Sequence, residues 1–171
     1  MKLLNNIIQT FKTPVPVYDR VLEIAALFLL VILLVLTTVL YQQVPEQIPT
    51  RFNWEDTPTN WDDKAVLWYM TGFFVVLMLL SAVSAYNLKL VNLPVRLKEP
   101  VTGIQKALIS RMSRYLTLSI GMMWLSYLLS VSASLWDIKL LAYIFTKISL
   151  LLLLAPVIYY SVKIWWVGRR Y

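Results

Sequence analysis

The chain has no cysteine and no histidine, and its 171 residues include only nine acidic residues and four glycines. Without cysteine there is no disulfide framework, thiolate metal site, iron–sulfur cluster or thiol nucleophile, and cysteine usage marks no redox compartment. Without histidine there is no Ser-His catalytic pair, no imidazole ligand and no side chain with an ordinary pKa near neutrality. Glycine is too sparse for a phosphate-cradling loop leading into a helix. Charge is scarce as well: 15% of residues against about 25% in soluble domains. What fills the chain is apolar. Residues of the AVILMFWYC set make up 59%, and mean hydropathy is +0.66. One modest domain cannot bury that much, so the surplus must face lipid.

Four apolar runs of about 20 residues or more predict membrane-spanning helices at about 24–43, 65–87, 115–136 and 140–162. Uninterrupted apolar runs lack the alternation of a membrane barrel, and an open sheet would leave backbone groups unpaired in lipid. The expected fold class is therefore an all-α integral membrane protein with four transmembrane helices. The first run is too long for a signal-peptide core and is followed by Tyr41-Gln-Gln-Val-Pro45, so it reads as a retained span.

Basic residues set the expected direction. Lys2, Lys12 and Arg20 precede the first span, Lys89, Arg96, Lys98, Lys106, Arg111 and Arg114 lie in the middle loop, and Lys163, Arg169 and Arg170 lie in the tail. The opposite side has only Arg51, Lys64 and Lys139. The positive-inside bias puts both termini and the 88–114 loop in the cytoplasm, with an outer loop at 44–64. The net charge of +7 suits anionic lipid rather than nucleic acid. Residues 1–20 form an amphipathic cytoplasmic arm and 21–171 a single membrane domain. Val101–Tyr115 is amphipathic too, with Leu108 and Met112 on its apolar face, and reads as an interfacial anchor or a partner-docking helix.

No span carries an aspartate or glutamate, and Glu23 stands at the inner edge beside Arg20. That disfavours an ion-coupled carrier. Lys147 is the single intramembrane ion. It snorkels to the outer headgroups, pairs with an outer carboxylate such as Asp62 or Asp63, or contacts a ligand. Ser119, Ser126, Ser130 and Ser134 on the third span, and Ser81-x-x-x-Ala85 on the second, read as close-packing surfaces or as the lining of a polar path.

The outer loop is proline-rich and aromatic, and it carries Glu46, Glu55, Asp56, Asp62 and Asp63. Its prolines restrict the backbone, and Phe52, Trp54 and Trp61 need burial, so a folded cap over the outer helix ends is expected. Its acids do not have EF-hand spacing, and no metal is expected. The candidate binding or cap-folding residues are Arg51, Asn53, Trp54, Trp61 and Lys64, with Lys147 beneath them.

The pattern Pro45-x-x-Ile48-Pro49-x-x-Phe52-Asn53, then Pro58, Trp61 and Lys64, resembles the signature loop of the SdpI-like family of small bacterial membrane proteins. Val91-Asn92-Leu93-Pro94-Val95 resembles its cytoplasmic segment. The family's histidine falls on Arg51 and its glycine on Asp56. The resemblance implies a bacterial cytoplasmic membrane, toxin immunity or envelope sensing, and no cofactor. Expected partners are the bilayer and a peptide toxin, a lipid or another membrane protein. A non-enzymatic binding or accessory role is expected, with a small transporter or lipid-handling enzyme as the alternative.

Overall fold

A computed structural model of the chain describes residues 16–52, 58–87, 91, 103–135 and 139–170. Four long helices and one two-stranded ribbon make up the described residues. In order they are α1 (Val17–Gln43), β1 (Gln47–Phe52), β2 (Pro58–Asp63), α2 (Val66–Ser84), α3 (Gly103–Leu135) and α4 (Lys139–Arg170). Three of them, α1, α2 and the Gly103–Ala133 part of α3, are long and apolar enough to cross a membrane. The α4 helix contains the expected fourth run, with Pro156 inside it.

Side-chain exposure explains why lipid is the fitting solvent. Only 22% of the most apolar stretch of α1, and the same share for α2, is buried within the protein. Leu27, Phe28, Phe73 and Leu80 point outward with more than half their surface uncovered. In water that much apolar area would drive aggregation; against acyl chains it costs nothing.

The packing is organised around α3. It lies against α1, α2 and α4, and its contact with α4 is the most extensive in the described residues. Leu29, Leu33, Leu40, Leu67, Met78, Trp124 and Leu128 form the main core between α1, α2 and α3. Gly121 is what lets these helices close. A Cβ there would come within 2.6 Å of Leu29 Cδ2 and 3.0 Å of Met78 Cε. A smaller cluster of Leu108, Ile109, Met112, Tyr160 and Ile164 joins the start of α3 to the end of α4.

The fold differs from the sequence expectation in two places. The outer connector is a β-ribbon rather than an irregular cap. Its strands pair antiparallel, Ile48 opposite Asp62 and Pro49 opposite Trp61, with register irregularities on either side of Arg51. Prolines hid these strands, yet an isolated two-stranded ribbon has only edge strands, where proline is tolerated. The second difference is at 101–115. From Gly103 onward the amphipathic stretch does not lie separately on a membrane surface but is the first part of α3, continuous with the third span. Its apolar residues Leu108 and Met112 pack on α4 rather than on lipid headgroups.

Candidate functional site

The ribbon is tied to the bundle at its base. Val44 N donates to Leu40 O at 2.9 Å, and Lys64 N to Glu46 O at 2.9 Å. Asp63 Oδ1 accepts from Ala65 N at 2.7 Å, an Asx turn that leads into α2. Lys64 Nζ lies 5.2 Å from the centre of the Tyr41 ring at the end of α1, a cation–π contact. The apolar anchor is Ile48, which is 1% exposed and packs within the main core.

Strand alternation then decides which side chains look inward. On β2, Asn60 and Asp62 turn to the bundle, while Trp61 between them is 55% exposed. Asp62 Oδ2 accepts from Asn60 Nδ2 at 3.0 Å and from Thr50 Oγ1, and Asn60 Nδ2 also reaches Thr50 Oγ1 at 3.2 Å. Beneath this triad is a vestibule of about 550 Å³, with Met70, Phe74, Trp124 and Tyr127 among the residues of its other walls. Phe74 and Tyr127 both stack on Trp124, with ring centres 4.7 and 4.8 Å away and planes within 15°. The Trp124 indole N–H donates to Thr71 Oγ1 at 2.9 Å, and Thr71 shares a 2.9 Å hydrogen bond with Thr37. This three-residue chain satisfies buried polar groups on three helices and fixes the aromatic wall. Below it the core is apolar.

The site residues read from the sequence are scattered relative to this vestibule. Lys64 supports the ribbon base, and Trp61 faces away from the cavity. Arg51 lies in β1 opposite Asn60. Asn53 and Trp54 fall outside the described residues, as do residues 1–15 of the N-terminal arm and the side chains of Arg51 and Lys147. Sequence reading missed Asp62, Asn60, Thr50, Phe74, Trp124 and Tyr127 as one wall. The signal available for half of them was alternation along Asn60-Trp61-Asp62; nothing local joins these to residues of α3.

A second polar cluster lies at the opposite end of the bundle. Arg111 Nε contacts Asp19 Oδ1 at 2.8 Å, and Arg114 Nε contacts Glu23 Oε1 at 2.8 Å. Glu23 therefore pairs with α3, not with its sequence neighbour Arg20. Arg114 Nη1 also donates to Ser110 Oγ at 2.6 Å, Ser110 Oγ to Ala85 O at 2.6 Å, and Tyr86 OH to Glu23. These bonds join α1, α2 and α3. Ser81 Oγ donates to Ser113 O at 3.1 Å, so the Ser81-x-x-x-Ala85 surface packs helix on helix. Beside the cluster an apolar cleft of about 170 Å³ opens between α1 and α2, with Ala26, Leu30, Met78 and Ala82 in its walls. Among the described residues no group of three acidic, histidine or cysteine side chains could hold a metal ion.

Comparison with known proteins gives one family match. Residues 28–79 match the model of a domain of unknown function, DUF1648. The matched stretch takes in the latter part of α1, the whole ribbon and α2 as far as Leu79, so it contains the vestibule walls contributed by the ribbon and α2. No curated protein and no solved structure matches the chain.

Proposed function

We propose that the chain is a non-enzymatic membrane protein that binds or senses an amphipathic molecule, a peptide or a lipid, at the ribbon-covered vestibule. The observation that carries this reading is the vestibule itself: a preformed cavity with an aromatic wall on one side and a hydrogen-bonded polar triad on the other. A volume of about 550 Å³ falls within the range of about 300–1,000 Å³ typical of small-ligand sites. The apolar core beneath it supports binding over transport, since a carrier needs a polar route onward.

In this reading all four helices span a bacterial cytoplasmic membrane, with both termini inside and the ribbon outside. Arg20, Lys106, Arg111, Arg114 and Lys163 gather toward the ion-paired end, whereas the ribbon end has Arg51, Lys64 and Lys139. That asymmetry supports the orientation. Trp68 and Tyr69 near the ribbon, and Tyr159, Trp165 and Trp166 at the other end, are exposed as interfacial belts require. The finer likeness to immunity proteins rests on the loop residues alone, and an accessory subunit role shares the same surface.

Native mass spectrometry after gentle extraction tests the reading. The wild type should retain a bound amphiphile that Met70→Phe, which fills the vestibule, loses. Identical adducts on both proteins would defeat it.

A further inference from the structure

The vestibule's polar rim has one sign of charge. Asp62 is its single ionisable acid, and no lysine or arginine is among the residues that line it. Both ion pairs found among the described residues lie at the other end of the bundle, so neither neutralises Asp62. Its carboxylate instead accepts two uncharged hydrogen bonds, from Thr50 and Asn60, which orient it and leave its charge in place. Facing it are the stacked rings of Phe74, Trp124 and Tyr127, whose π surfaces attract cations and exclude anions.

We infer that the vestibule selects a small cationic amphiphile: an amine, guanidinium or quaternary ammonium head between Asp62 and the aromatic wall, with its apolar body against Met70, Phe74 and Val66. A carboxylate and aromatic faces turned toward one space match a positive head on both sides. An anionic head would meet uncompensated repulsion from Asp62 and the negative faces of the rings. The cavity holds a drug-sized molecule and is too small for a folded peptide. This inference rests on the binding role proposed above and narrows its ligand to one charge class.

The test uses the full chain reconstituted in phosphatidylcholine vesicles and reads tryptophan quenching by a bromine-tipped alkyl trimethylammonium. A bromine-tipped alkyl sulfate of equal chain length is the matched anionic probe. The expected result is saturable quenching by the cationic probe alone. Asp62→Asn, which keeps the side chain's shape, should weaken it about ten-fold, while Asp62→Glu retains it and the exposed Glu46→Gln leaves it unchanged. A wild-type helical circular dichroism spectrum for Asp62→Asn excludes misfolding as the cause. Equal saturation by both probes, or indifference to Asp62→Asn, overturns the charge selectivity; if Met70→Phe then abolishes binding of both, the vestibule role survives. Failure of either probe to saturate overturns both readings.

Discussion

Thr71 shows how much a single hydroxyl carries in this bundle. It is 1% exposed and joins Thr37 on α1 to the Trp124 indole on α3. Thr71→Val keeps the volume but orphans two buried groups, and should cost about 1–3 kcal/mol. Reversible unfolding in mixed micelles measures this, and a cost below about 0.5 kcal/mol would mean the chain is not structural. Arg114 poses a different balance. It is buried and held by Glu23, Ser110 and, at 5.2 Å, the Tyr86 ring. Glu23→Ala should destabilise by about 3 kcal/mol because a cation loses its counter-charge, whereas Glu23→Leu with Arg114→Leu should come close to neutral. A double-mutant cycle on these positions separates pairing from desolvation. The sequence showed both charges and placed Glu23 beside Arg20; the true partner is 91 residues away, a distance no local pattern reports.

Among the elements, the ribbon depends on one apolar contact more than on its aromatic residues. Ile48 is inserted in the core, while Trp61 lies half exposed on the far face. Ile48→Ala should therefore loosen the ribbon, at a cost of about 2–4 kcal/mol, and Trp61→Ala should cost far less. Limited proteolysis of the connector in vesicles ranks the two, and faster cleavage in the tryptophan variant would reverse the assignment. The proline and aromatic content made a folded connector legible, but not its strands. A pairing that begins at Gln47 opposite Asp63 is set by the ends of α1 and α2, which bring the two segments together. Gly121 illustrates the same point for helices. In sequence it is a lone glycine in an apolar run; in the structure Leu29 and Met78 occupy the space of its missing side chain. Gly121→Leu should force α3 away from α1 and α2 and lower the unfolding midpoint markedly, while Gly121→Ala, relieved by rotation of flexible side-chain ends, should lower it less.

Across the whole molecule, α3 is the spine, and α4 attaches through it. The ion-paired end and the ribbon end are separated by the length of α1, and different chemistry gathers at each. The positive-inside orientation makes a direct prediction: a cysteine at Thr59, exposed on β2, should react with a membrane-impermeant maleimide in intact cells. Labelling only after lysis would invert the molecule and put the vestibule on the cytoplasmic side.

Composition and run length by themselves determined that this chain is helical and apolar beyond what a water-soluble globule can bury, because hydropathy and the 1.5 Å rise per residue are local properties. The distribution of lysine and arginine was equally readable as a topological bias. Only the tertiary structure decided that Asp62 looks inward and Trp61 outward, that Glu23 meets Arg114, and that Phe74 stacks on Trp124. Those facts depend on strand register and on helix rotation about α3, and both are fixed by packing between segments far apart in the chain.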